Sequence, residues 1–183
     1  MDFHFGIRSQ AKMIIAVGDS LPQLVLQELV IEQEGDCVLA PTKVDIHKEA
    51  AGKTIAIVGV PGAFTPTCSN NHLPAYVEHY NDFKAAGVDE IWCLSVNDAF
   101  VMGAWGKDQK TGGKVRMIAD GDGAFAEAAG LVLSLKGHGL GVRSQRYSML
   151  AKDGVVKSIN VEVGGQLKVS DAATLLAQVS TIS

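Results

Sequence analysis

Two short β-branched, aliphatic runs frame the chain. Thr54-Ile55-Ala56-Ile57-Val58-Gly59-Val60 reads as a buried strand, and Glu90-Ile91-Trp92-Cys93-Leu94-Ser95-Val96 as a second. Between them Leu73, Tyr76, Val77, Tyr80 and Phe83 fall at three- and four-residue spacing, which predicts a helix from Thr65 to Ala86. Pro74 should bend that helix and Gly87 should stop it. Strand, helix, strand is a βαβ unit, the crossover that parallel strands require. A second unit follows. Asn97 is placed to cap a helix over Phe100 to Lys110, Gly112-Gly113 ends it, and Lys114 to Ala119 is the next strand. Asp120 to Gly123 is a turn before a short helix, Ala124 to Ala129.

Towards the C-terminus the pattern changes. Tyr147 to Ala151 and Val155 to Val161 flank Lys152-Asp153-Gly154, an Asp-Gly hairpin signal. Ser170 is placed to cap a last helix through Val179. Weaker strand signals lie at Leu24-Val25-Leu26 and Val38-Leu39. The sum is an α/β protein: a central mixed β-sheet, parallel in its middle and antiparallel late, with helices on both faces. A thioredoxin-like fold fits it best. With 183 residues and no linker or repeat, one domain over 14–183 is expected, preceded by a tail over 1–13.

Composition narrows the functions. Sixteen basic against 20 acidic residues leave a formal charge of −4, so there is no basic footprint for nucleic acid. No apolar run approaches the ~20 residues of a membrane helix. Three cysteines, Cys37, Cys68 and Cys93, are too few and too widely spaced for a disulfide scaffold and fit a reducing compartment. There is no C-x-x-C, no phosphate-binding glycine loop and no H-E-x-x-H, so neither a metal nor a nucleotide cofactor is expected.

Cys68 is the informative residue. Val60-Pro61-Gly62-Ala63-Phe64-Thr65-Pro66-Thr67-Cys68-Ser69 begins where a buried strand ends and finishes where a helix begins. Pro66 suits the first helical position, which puts Thr65 at the cap and Cys68 in the first turn. Unpaired N–H groups and the positive end of the helix dipole favour an anion there, and a cysteine so placed can be a reactive thiolate. Thr65 can offer its hydroxyl to the sulfur or to a bound oxygen.

The segment Pro61-x-x-x-Thr65-x-x-Cys68 resembles the peroxiredoxin active-site pattern. The fuller run PGAFTPTCSNNHLP resembles the type II, peroxiredoxin-5-like branch. The similarity continues in order through LSVNDAFVMGAWG (Leu94 to Gly106), VRMIADGDGAF (Val115 to Phe125) and GLGVRSQRYSML (Gly139 to Leu150). It implies reduction of hydrogen peroxide and alkyl hydroperoxides, with Cys68 as the peroxidatic cysteine, Pro61 and Thr65 as the pattern's proline and threonine, and Arg146 as the site arginine. Arg143 resembles a second arginine of the branch. Phe100 and Trp105 on the second helix read as core or dimer-interface residues, and the resemblance implies a homodimer. His72 in NHLP resembles a family residue just past the site; a histidine suits acid–base work, but the expected role here is that of a structural helix-face residue.

The position where some relatives carry a C-terminal resolving cysteine is occupied by Val169. Cys93 stands where plant-type relatives also have a cysteine, but it lies in an apolar strand and reads as a packed core thiol that local unfolding would have to free for a bridge to Cys68; Cys37 reads as incidental. A one-cysteine cycle is therefore expected, with glutathione and glutaredoxin, or thioredoxin, as reductant. Ala63, Phe64 and Leu140 suggest apolar walls that admit alkyl hydroperoxides. The expected location is cytoplasmic, or an organellar matrix if residues 1–13 are a transit-peptide remnant. Two rivals stand beside the enzyme: a peroxide sensor that relays oxidation to a partner protein, and a non-catalytic scaffold.

Overall fold

The computed structural model describes residues 13–31 and 40–181. Cys37, the strand signal at Val38-Leu39 and nearly all of the N-terminal tail lie outside the described residues. The elements run β1 (Val25–Glu28), β2 (Thr42–Asp45), α1 (Ile46–Ala50), β3 (Thr54–Val60), a π-helical turn (Cys68–His72), α2 (Leu73–Glu78), α3 (Tyr80–Ala85), β4 (Glu90–Ser95), α4 (Ala99–Asp108) and β5 (Val115–Ala119). After these come α5 (Ala124–Ala128), β6 (Val132–Leu135), β7 (Gly141–Ser144), β8 (Tyr147–Lys152), β9 (Val155–Val161) and α6 (Ala172–Val179).

Seven strands form one sheet in the order β2-β1-β5-β4-β3-β8-β9. The β3–β4 and β4–β5 pairs are parallel; β3–β8 and β8–β9 are antiparallel. This is the mixed sheet the patterning predicts. Asp153 and Gly154 close the β8–β9 hairpin with φ of 50° and 72°, the left-handed pair that the Asp-Gly signal demands. The sheet is apolar on both faces because its central strands are covered on both sides. Ile55, Ile57, Trp92, Ile118 and Met149 enter one core; Ala56, Val58, Val60, Cys93 and Met117 enter the other, with Leu73, Tyr76, Phe83, Trp105 and Leu175 from the helices. At Gly59 a β-carbon would overlap the ring of Tyr147, its partner across β3–β8, so only glycine lets that ring lie against β3.

The long helix is irregular at Pro74, as expected: the π-turn Cys68–His72 passes into α2 there, and a further break comes at His79, whose φ and ψ are −83° and 12°. Two sequence expectations need correction. Asn97 does not cap α4, and Ser170 does not cap α6. Asp98 and Asp171, one residue later in each case, accept the N–H of Val101 (2.9 Å) and Thr174 (3.0 Å). A carboxylate is acceptor-only and also meets the positive helix end, so it outcompetes its neutral neighbour. Asn97 and Ser170 are thereby released for other contacts. The hairpin β6–β7 and the β2–α1 unit carry no clear sequence signal and emerge only in the folded chain.

Candidate active site

The loop after β3 is built by polar pins. Asn97 Oδ1 accepts the N–H of Ala63 (3.0 Å) and the hydroxyl of Ser95 (2.7 Å), tying the loop to the end of β4. Arg143 Nη1 donates to the Pro61 carbonyl at 3.3 Å, while its Nε donates to the Leu140 carbonyl at 2.8 Å. Arg143 thus joins the loop to the β6–β7 hairpin rather than reaching the sulfur. At Gly62 a β-carbon would stand 2.8 Å from Arg143 Nη1, so a side chain there would push out the pin. Phe64 adopts φ 59°, a left-handed conformation costing about 1 kcal/mol for a residue with a β-carbon. Its ring lies 6.4 Å from that of Trp105, whose indole N–H donates to Ser69 Oγ at 3.0 Å.

The helix begins at Pro66, as the proline predicts, and widens into the π-turn at Cys68. The turn carries Cys68 and His72 to one face, where both meet Arg146. Cys68 is fully buried and Arg146 only 5% exposed. Arg146 lies between β7 and β8 in the chain; its Nη1 is 3.4 Å from Cys68 Sγ and 3.1 Å from His72 Nδ1. The guanidinium bonds a thiol and an imidazole rather than a carboxylate. Its Nε is buried and finds no hydrogen-bond partner among the described residues. A buried donor left unsatisfied costs about 1–3 kcal/mol, a cost that a ligand oxygen bonded to this N–H would remove. The Thr65 hydroxyl donates to the Gly62 carbonyl at 2.8 Å. Its proton is therefore turned into the loop and its lone pairs are left to accept. Pro61 and Thr65 are half-buried in this loop.

The sequence reads His72 as a structural residue, and its contact with Arg146 is the feature that reading misses. Two signals are available: the resemblance of His72 to a family residue just past the site, and its spacing, four residues after Cys68 on one helix. Burial lowers its pKa to about 4; the Ser170 carbonyl opposes that shift and the Arg146 charge adds to it, so the ring is neutral. The rest of the shell has no local sequence signal. His72 Nε2 is 2.9 Å from the Ser170 carbonyl, which also accepts the Tyr76 hydroxyl at 2.8 Å. Glu162 Oε1 gathers the N–H groups of Lys168, Val169 and Ser170 and the Ser170 hydroxyl, at 2.7–2.9 Å.

Cys93 lies mid-strand in β4 between Val58 and Met117, a buried free thiol on the same apolar face as Cys68. Burial pushes its thiol far up, and Cys68 adds to the shift. It is a packed hydrophobe. Among the described residues no group of three or more His, Cys, Asp or Glu is arranged to hold a metal. A thiol at a helix start, a buried cation with a free donor, and a hydroxyl acceptor together suit displacement at an oxygen whose leaving group becomes negative.

The profile of the Redoxin family matches residues 16–176. Peroxiredoxin-2B of Arabidopsis thaliana is 46% identical over 162 residues, 88% of this chain and 96% of that protein. The structure of reduced Prx3 of Vibrio vulnificus in complex with hydrogen peroxide superposes with a TM-score of 0.82 at 43% identity, covering 91% of this chain and 96% of that one. Peroxiredoxin 5 of Alvinella pompejana gives a TM-score of 0.78 at 33% identity, over 91% and 99% of the two chains.

Proposed function

The chain belongs to the redoxin family and to its type II, peroxiredoxin-5-like branch of thiol peroxidases with the thioredoxin-like fold, and on that premise we propose that Cys68 is its peroxidatic cysteine, working with Arg146, Thr65 and Pro61. The observation that carries the reading is Arg146, which reaches the Cys68 sulfur at 3.4 Å while its buried Nε–H stays unpaired.

The thiolate of Cys68 attacks one oxygen of the peroxide. An S–O bond forms and the O–O bond breaks. Sulfur is oxidised to the sulfenic acid and the other oxygen departs as alkoxide or hydroxide, which takes a proton to give alcohol or water. A more acidic thiol alone does not make this fast, because nucleophilicity falls with pKa. The larger contribution therefore comes from the N–H groups of Arg146, which stabilise charge growing on the leaving oxygen. The Thr65 hydroxyl, with its proton committed to Gly62, accepts the peroxide O–H and holds it in line. Pro61 covers the mouth of the site. The hydrogen peroxide held by the Vibrio vulnificus relative supports the same class of substrate here.

Regeneration runs through an external thiol. A first thiol condenses with the sulfenic acid, releasing water and leaving a mixed disulfide; a second displaces Cys68 as the free thiol. Glutathione with glutaredoxin, or thioredoxin, fits this role. The burial of Cys93 and the valine at 169 support a cycle without an internal partner. Peptide mapping after one equivalent of peroxide should find Cys68 as a sulfenic acid or mixed disulfide; a dominant Cys68–Cys93 bridge would overturn the one-cysteine cycle. Peroxide consumption with an external thiol should vanish in Cys68→Ser, and sustained turnover by that variant would sink the assignment of the sulfur.

A further inference from the structure

The Ser170 carbonyl is an acceptor only, and His72 Nε2 lies 2.9 Å from it, so Nε2 carries the ring proton. The Ser170 hydroxyl, 3.3 Å from the same nitrogen, already donates to Glu162 and can only accept there. Nδ1 is then a bare lone pair, and it faces a nitrogen that can only donate, Arg146 Nη1, at 3.1 Å. Nη1 has two hydrogens. One goes to Cys68 Sγ and one to His72, which fixes the plane of the guanidinium and hence the direction of the unpaired Nε–H.

We propose that His72 is a positioning residue of the peroxide site: as the Nε2–H tautomer it lends Nδ1 to Arg146 and so aims the free Nε–H at the oxygen that leaves. The inference rests on the reading of Cys68 and Arg146 given above. The groups facing the ring put its proton on Nε2 rather than Nδ1. Arg146 repels a proton on Nδ1, and Tyr76, whose ring meets the imidazole edge-on at 5.7 Å, helps fix the Ser170 carbonyl. Glu162 and Asp171 contribute negative charge to the His72 site from the Ser170 side. The Glu162 carboxylate gathers three successive N–H groups of the 168–170 segment, so the carbonyl that dictates the tautomer cannot rotate freely. The arrangement is a second layer that orients the group in contact with substrate, as outer partners orient metal ligands.

Two isosteres separate this role from simple packing. Asparagine places its Oδ1 where Nδ1 sits and keeps an acceptor for Arg146. Glutamine places an amide where Nε2 sits, keeping the Ser170 contact and losing the acceptor. His72→Gln should slow oxidation of Cys68 by hydrogen peroxide about tenfold or more, while alkylation of the same thiol by iodoacetamide stays within about twofold. His72→Asn should recover most of the peroxide rate. A wild-type rate in His72→Gln, equal losses in both variants, or a parallel fall in alkylation would overturn the proposal. Nitrogen-15 NMR of the unaltered protein decides independently of how the variants fold. It should show a proton on Nε2 and none on Nδ1 between pH 5 and 8, and a protonated Nδ1 would overturn the proposal. That measurement stands whatever Cys68→Ser shows, so failure of this inference and failure of the site assignment are distinct results.

Discussion

Two arginines, Arg116 and Arg146, are built into the protein in opposite ways. Arg116, on β5, spends every nitrogen on carboxylates. Its Nε and Nη2 meet Glu28, at 2.7 Å in the shortest contact, and its Nη1 meets Glu49 and Glu90 at 3.0 Å each. It also lies over the Trp92 ring at 5.7 Å. Arg146 bonds no carboxylate among the described residues, touches a thiol and a neutral imidazole, and keeps one buried N–H unpaired. A saturated guanidinium can only hold a structure together. An unsaturated one in a dry site carries its charge and its donor at the ready for a ligand. Under the function proposed above, the contrast sets a structural arginine beside one that serves the site.

The largest effect expected from breaking this contrast is at Arg146. Arg146→Met should lower the rate constant of Cys68 with peroxide about 100- to 1000-fold, the usual cost of one donor to a developing anion. Thermal stability should stay level or rise, because a buried charge without a carboxylate partner is removed. A loss under about threefold in rapid-mixing experiments would end the comparison.

Acid should separate the two ends next. The folded His72 binds its proton less tightly than the unfolded one, with a pKa of about 4 against 6.5. Between those values the unfolded state takes up the extra proton, so the stability His72 contributes is complete above pH 6.5 and is lost on the way down to 4, on the order of 3 kcal/mol. At the Arg116 end, burial pushes the Glu90 carboxyl up, but hydrogen bonds from Lys53, Trp92 and Arg116 overcome it and bring the value down to about 2. What Glu90 contributes is complete above pH 4.5 and is lost on the way down to about 2, below the window of the His72 loss. Denaturant midpoints from about pH 7 to 4 should fall in the wild type and fall much less in His72→Gln; equal slopes would contradict the assignment of the loss to His72.

Arg116→Met should cost about 2 kcal/mol, below the range for a fully buried pair because its partners are partly wetted. The peroxide rate constant should not move. A tenfold rate loss with a small stability change would reverse the roles given to the two arginines. The smallest effect is expected at Cys93. Cys93→Ala removes one buried sulfur, costs about 1 kcal/mol, and should leave peroxide turnover with an external thiol intact. Loss of turnover in that variant would make Cys93 a redox partner rather than core.

Much of the fold is legible in the sequence. The strands β3, β4, β5, β8 and β9 follow from apolar runs and an Asp-Gly turn, since such signals are local and the core enforces them. The loop before Cys68 and the helix start at Pro66 are equally local. The helix caps slip by one residue, to Asp98 and Asp171, because adjacent polar residues compete for the same N–H, and only the final φ and ψ decide the winner. The β6–β7 hairpin escapes a sequence reading because β6 alternates between exposed and half-covered positions, β7 starts with two exposed residues and ends on a buried serine, and neither carries a strong apolar pattern.

Cys68 is a reactive-residue candidate from sequence because a loop, a proline and a helix start stand next to each other in the chain. That much is readable along the chain, together with the sheet and the family resemblance, because each depends on residues close in sequence or on motifs in fixed order. What surrounds the sulfur follows from the fold alone. Arg146 is 78 residues away and Ser170 reaches His72 across 98. No local rule links such pairs. The approach to β8, the π-turn that starts at Cys68 and the Glu162 clamp on 168–170 bring them within hydrogen-bonding distance, and in that dry setting the geometry of a few donors and lone pairs leaves Arg146, and not Arg116, with an unpaired N–H.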